Sequence, residues 1–119
     1  MGREDYCGGI IMSKYILKDK IAIPCEDLLE WSTWIETADR RVKVTELENN
    51  IRISTVFLGI SYQFDDDDEK SLLFETMVFG GYLHEDLERC STWEEAEFQH
   101  FRMVEKVIQV EDVERKKVQ

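Results

Sequence analysis

The sequence predicts an α+β fold: an antiparallel sheet of about five strands with two helices packed on one face, in the order ββ-α-β-β-β-α. Three stretches carry that prediction. Ile51 to Ile60, IRISTVFLGI, holds one charge and five β-branched side chains, as a central strand should. Ser71 to Gly81, SLLFETMVFGG, has the same character and can return antiparallel beside it. Ser91-Thr92-Trp93-Glu94 has the S-x-x-E form of a capping box, and an apolar stripe at helical period follows it.

Met1 to Ile11 reads as detachable from the fold, because Gly8 and Gly9 are adjacent and no period precedes Ile10; Met12 is an alternative start. Tyr15 to Leu17 and Ile21 to Ile23 read as two short strands around a Lys18-Asp19-Lys20 turn, with Pro24 closing the second. From Glu26 the period becomes helical. Leu28, Trp31, Ile35 and Ala38 share a stripe with Trp34 beside it, Glu36 and Arg40 form an i,i+4 pair, and the helix should end near Arg41. Val42 to Leu47 is the third strand, and Glu48-Asn49-Asn50 supplies turn residues before the central one. On the central strand Ile51, Ile53, Thr55 and Phe57 line one face, while the other turns apolar only at Val56, Leu58 and Ile60. His84 to Cys90 is a polar connection. The last helix has Trp93, Ala96, His100, Met103, Val104 and Val107 on its apolar stripe, with Phe101 and Ile108 widening it. The expected organisation is an N-terminal extension over 1–13, one domain over 14–110 and a fraying charged tail over 111–119. Its core is expected from Phe57, Leu58, Phe74, Val78, Trp31, Ile35, Trp93 and Val104.

A chain of 119 residues that is 43% hydrophobic can bury a core without staples. No run approaches the roughly 20 apolar residues that span a bilayer, and no signal peptide opens the chain, so the cytoplasm is the expected compartment and no membrane partner is expected. Cys7, Cys25 and Cys90, odd in number and widely spaced, suit reduced thiols better than a disulfide framework. The net charge of −11 argues against direct nucleic-acid binding, which depends on clustered Lys and Arg. An acidic surface suits a basic protein partner, and it also simply keeps a small protein in solution.

No cofactor is implied: Gly80-Gly81 is not a G-x-G-x-x-G entering a helix, and no C-x-x-C or H-x-x-x-H spacing offers a zinc site. Asp65-Asp66-Asp67-Asp68-Glu69 lacks the glycine and final glutamate of an EF-hand loop and reads as a solvated turn. His84 and His100 are the only histidines. His100, on the apolar stripe, reads as a satisfied core histidine, and His84 as solvated. Cys90 with His84 is a nucleophile pair on paper, without a third orienting group. Glu75 shares a strand face with Leu73, Met77 and Phe79, so it is either partnered, by Arg52 or Arg40, or carries a raised pKa.

The α-β-β-β-α portion resembles double-stranded RNA-binding domains in element order alone; those domains place basic residues where this chain has Glu94, Glu95 and Glu97. STVFLG at Ser54 to Gly59, LLFETMVFGG at Leu72 to Gly81 and STWEEAE at Ser91 to Glu97 together resemble a group of small phage and prophage proteins of unassigned role. DLLEWSTWIETADRRV, Asp27 to Val42, is similar to the helix those proteins carry ahead of the first stretch, and Tyr62 stands where they are expected to have histidine. That resemblance implies a phage-type genetic setting and transfers no catalytic residue.

The functional expectation is a phage-type accessory protein, an anti-defence factor being one such role, that binds a host or phage protein with a basic surface. The residues expected to carry binding are the acids Asp65, Asp66, Asp67, Asp68, Glu94 and Glu95, with Tyr62 and Tyr82 as aromatic anchors. Self-association through a strand edge is the other interaction left open. The alternative from a different class is a small-molecule hydrolase or transferase of unrecognised type.

Overall fold

The computed structural model describes residues 10–64 and 71–118. Its elements are β1 (Ile10–Lys18), β2 (Ile21–Pro24), α1 (Leu28–Thr37), β3 (Arg41–Leu47), β4 (Ile51–Phe57), β5 (Ile60–Phe64), β6 (Phe74–Phe79), β7 (Leu87–Cys90) and α2 (Trp93–Lys117). All strand pairings are antiparallel, in a four-stranded sheet of order β3-β4-β6-β7 and a three-stranded sheet of order β2-β1-β5. The class is α+β, as the sequence predicts, with seven strands instead of about five.

The two additional strands have separate causes. The stretch expected to run unbroken from Ile51 to Ile60 stops at Phe57, and Gly59 turns the chain with φ +80°. A Cβ at that position would lie 2.5 Å from Ile35 Cδ1, so only glycine fits both the backbone and the space. Beyond this corner the chain leaves β3 and β6 and pairs with β1 as β5. The Gly59 carbonyl fastens the corner, accepting hydrogen bonds from Tyr15 N (2.9 Å) and Trp31 Nε1 (3.0 Å). β1 is correspondingly long and begins at Ile10, within the segment read as detachable. The other addition, β7, lies in the stretch read as a polar connection; it pairs Leu87, Glu88, Arg89 and Cys90 with Met77, Thr76, Glu75 and Phe74.

α2 contacts all four strands of the larger sheet, and α1 packs against β1. On the helix-facing side, Ile51, Ile53 and Val78 meet Met103 and Val107, while Phe57, Leu73, Phe74 and Ala96 form a second buried cluster toward α1. Of the expected core, Phe57, Phe74 and Val78 are fully buried, whereas Leu58, Trp31, Ile35, Trp93 and Val104 are half-buried. α1 buries no residue completely and leaves Leu28 exposed, because it rests on a narrow three-stranded sheet.

Helix ends differ from the expectation by short distances with clear reasons. Asp27 caps α1, its carboxylate accepting from Leu29 N and Glu30 N, so the helix starts two residues after Glu26. It ends at Thr37, which leaves Arg40 outside; its guanidinium donates to the Phe57 carbonyl (3.0 Å) instead of pairing with Glu36 within a helix. The capping box of α2 is Thr92 with Glu95, one residue later than Ser91 with Glu94. α2 stays helical to Lys117 instead of fraying from Glu111, helped by basic residues in its last turn and by the Arg115–Asp112, Lys116–Asp112 and Lys117–Glu114 pairs. No helix among the described residues is long and apolar enough to cross a membrane.

Candidate functional site

Those of the residues expected to bind that the structure describes do not converge. Asp65, Asp66, Asp67 and Asp68 lie outside the described residues. Tyr62 is 64% exposed on β5, opposite Met12. Tyr82 is 59% exposed in the turn after β6, its N–H donating to Glu111 on α2. That turn is beside the start of β4, where Gly80 lies close to Asn50 and Ile51. Residues 51 to 62 of bent but extended chain therefore separate the two tyrosines, roughly 36 Å of contour at about 3.3 Å per residue. Glu94 and Glu95 are exposed in the first turn of α2, where Glu95 accepts from Ser91 N and Thr92 N as part of the cap.

The structure builds a different polar constellation around His100. The ring is 1% exposed, with Nε2 2.8 Å from Thr45 Oγ1 on β3 and Nδ1 2.7 Å from Thr55 Oγ1 on β4. Thr55 Oγ1 lies 2.6 Å from Thr76 Oγ1 on β6, which accepts from Gln99 Nε2 at 3.0 Å. The same Gln99 nitrogen donates to the Glu88 carbonyl at 3.1 Å. A carbonyl only accepts, so that contact fixes the amide's orientation and makes Gln99 the donor to Thr76. Among the described residues the acceptor within hydrogen-bond reach of the Thr76 hydroxyl is Thr55 Oγ1, so the assignment that leaves no buried hydroxyl proton unpaired has Thr76 donate to Thr55 and Thr55 to His100 Nδ1, with the ring hydrogen on Nε2 donating to Thr45. Every group from Gln99 to Thr45 then donates and accepts consistently. Burial, and then the nearby Lys43 ammonium, hold the histidine's pKa below its usual value, in keeping with a neutral ring.

This direction decides what the site can do. Thr45 beside His100 resembles a nucleophile beside a base, and the two line a cleft of about 250 Å³ with Lys43, Glu97, Phe101 and Val104. A ring whose Nε2 already carries hydrogen cannot take the Thr45 proton, so the pair is not set for general-base activation. His100 is the satisfied core histidine expected from the sequence, and Gln99 is the partner that sequence reasoning missed.

The other sequence candidates also acquire definite partners. Glu75, 17% exposed, accepts from Arg89 Nε (3.0 Å) and Nη2 (2.9 Å) on β7, while Arg52 lies over the Phe79 ring and Arg40 is held by the Phe57 carbonyl. The expected partners, Arg52 and Arg40, are thus replaced by one on a strand the sequence had not disclosed. Cys90 and His84 are not a pair: His84 Nδ1 accepts from Gly80 N, and the Cys90 thiol faces the Thr92 carbonyl. Burial, followed by the charges of Glu95 and Glu88, pushes the Cys90 pKa up to about 11, so it is a thiol at neutral pH. Among the described residues, no group of three or more His, Cys, Asp or Glu side chains is placed to hold a metal ion.

On the outward side of α2, Glu94, Phe98, Phe101, Glu105 and Ile108 recur at alternating intervals of four and three residues, with Glu97 alongside, and all are exposed. Phe98 is 62%, Phe101 58% and Ile108 50% exposed. Phe101 and Ile108 were expected to widen the buried stripe; Gln99 takes the buried place instead, because Thr76 and Glu88 satisfy its amide. No family model, curated protein or solved structure matches the chain.

Proposed function

We propose that this chain works by binding a protein with a basic surface, as an accessory factor of the phage type that its sequence resembles, through the outward stripe of α2. The observation that supports this reading is three large exposed apolar side chains, Phe98, Phe101 and Ile108, interleaved with the carboxylates of Glu94, Glu97 and Glu105. Aromatic side chains supply lasting affinity once desolvated, and the surrounding charge selects a basic partner and speeds encounter. The helix is rigidly seated by its buried face, so the stripe needs no ordering on binding.

Affinity capture from a lysate of the source organism, at low and raised salt, tests the proposal. Phe98→Ser with Phe101→Ser should lose the captured partner at both salt levels; Glu94→Gln, Glu97→Gln and Glu105→Gln together should weaken capture mainly at low salt. A partner retained by both variants would rule out the α2 stripe, and a parallel variant neutralised at Asp65 to Asp68 asks whether that segment binds instead. A thermal-shift screen against metabolites addresses the alternative of a small-molecule enzyme.

A further inference from the structure

We infer that β3 is a self-pairing edge, through which two copies of this chain join their four-stranded sheets across a two-fold axis at Val44. It does not rest on the proposed binding role of the α2 stripe, although Phe101 and Ile108 of that stripe border the clefts beside β3.

The larger sheet ends at β3 and β7. β7 is only four residues long, and its Arg89 and Glu88 are engaged with Glu75 and Arg102. β3 is seven residues long, contains neither proline nor glycine, and among the described residues pairs on one side only. Between β3 and α2 the two layers do not close. A cleft of about 250 Å³ borders Lys43 and Thr45, and another of about 390 Å³ borders Glu46, Leu47 and Ile108. A long edge with unfilled space beside it is where a sheet accepts another strand.

The identity of the added strand follows from charge and face. Thr45 and Leu47 oppose the buried Ile53 and Ile51, so they face α2; Val44 and Glu46 oppose Ser54 and Arg52 on the other side of the sheet. A bulge between Arg41 and Lys43 returns Arg41 to that outer side, opposite Val56. Antiparallel pairing of β3 with a second β3 about Val44 sets Val44 against Val44 and Lys43 against Thr45. Past the bulge it sets Arg41 of each copy against Glu46 of the other. Each opposed pair lies on one face, as strand alternation requires. The strand is basic in its first half and acidic in its second, so only the antiparallel arrangement matches charge; a parallel one sets like against like. Val44, 40% exposed in the single chain, becomes the apolar centre of the seam. Neither charge is firmly committed elsewhere. Among the described residues Arg41 makes a two-point pair with Asp39, weak because both side chains are on the surface, and the Arg52 that opposes Glu46 lies over Phe79.

Sedimentation velocity of the full chain over a concentration series reads the outcome directly. The wild type should move from 14.1 kDa toward twice that mass as concentration rises. Glu46→Arg or Arg41→Glu alone replaces two attractive pairs by two repulsive ones and should raise the dissociation constant roughly tenfold to a hundredfold. Arg41→Glu with Glu46→Arg should restore the dimer, since the pairs are re-formed in reverse. Val44→Asp, which brings two carboxylates together on the axis, should give a folded monomer by circular dichroism and is a second route to the same result. Phe98→Ser, at a residue that borders neither cleft, should leave the dimer intact. A wild type that remains at 14.1 kDa throughout, single swaps that leave the dimer unchanged, or a double swap that fails to restore it would overturn the inference.

Discussion

Replacing His100 by leucine keeps much of the ring's volume on α2 and removes both of its nitrogen contacts, so it isolates the contribution of the polar chain. The two losses are unequal. Thr45 borders the cleft and can turn to water, so its bond to Nε2 should count for about 0.5–1 kcal/mol. Thr55 is fully buried, and without Nδ1 its hydroxyl proton has no acceptor, at a cost of about 1–3 kcal/mol. The sum, about 1.5–4 kcal/mol, should lower Tm by roughly 6–16 °C for a domain of this length. Thr45→Val should cost only about 1 kcal/mol or less. Acidity supplies a second reading of the same group. His100 has a depressed pKa when folded and about 6.5 when unfolded, so the unfolded chain binds more protons in the interval between the two values. The stability it contributes is complete above about pH 6.5 and is lost as pH falls toward the folded value. Denaturant unfolding at pH 7.5 and at 5.5 should show wild type losing more stability than His100→Leu, whose slope lacks that component. If His100→Leu costs no more than Thr45→Val, or if both proteins have the same pH dependence, the directed chain from Gln99 to Thr45 is wrong.

Three further outcomes follow from local geometry. Thr92→Ala should destabilise the fold by about 1 kcal/mol while Ser91→Ala changes little, which equilibrium unfolding of the two variants would separate. Gly80→Ala should cost about 2 kcal/mol or more, because φ is +96° and the new Cβ would meet the Asn50 carbonyl oxygen at 2.6 Å; thermal melts give the value, and a loss below about 0.5 kcal/mol would contradict it. Site-resolved mass spectrometry of alkylation should find Cys90 slow at pH 8 and accelerating toward about pH 11, with Glu95→Gln moving that rise to lower pH.

The parts of the fold legible in the sequence are those whose residues act locally. Ile51, Ile53, Thr55 and Phe57 all face inward as their alternation requires, and the apolar period of α2 locates its seat on the sheet through Ala96, His100, Met103 and Val107. Gly59 shows where that reading stops. A glycine in an apolar run signals a bulge or a close approach, but the corner it makes depends on Ile35 and Tyr15, which lie far away in sequence. β7 was hidden for a related reason. Leu87 and Arg89 face outward and Glu88 is tied to Gln99, so LERC has no apolar face of its own and becomes a strand only because β6 is there to pair with it. The register of the α2 cap was ambiguous because two consecutive hydroxyl residues each have a glutamate three positions on. Which one caps is decided by where the helix meets the sheet.

The polar centre was half legible, and the missing half determines its chemistry. The helical stripe places His100 in the core from sequence alone, and a buried histidine demands partners. Thr45, Thr55 and Thr76 sit on three different strands and become neighbours only through the registers that set Thr45 beside Ile53 and Thr55 against Thr76. A sequence with His100 and several threonines would allow the reading in which a threonine gives its proton to the ring, as a nucleophile does. The assignment that pairs every buried hydroxyl proton runs the other way: the Gln99 amide, pinned by the Glu88 carbonyl, donates to Thr76, whose own proton then has Thr55 as its acceptor. The helical period that buries Ala96, Gln99, His100, Met103 and Val107 leaves Phe101 on the outward side beside Phe98. His100 therefore serves to hold α2 on three strands, and the side of α2 left facing outward is the surface on which the chain has apolar contact to offer.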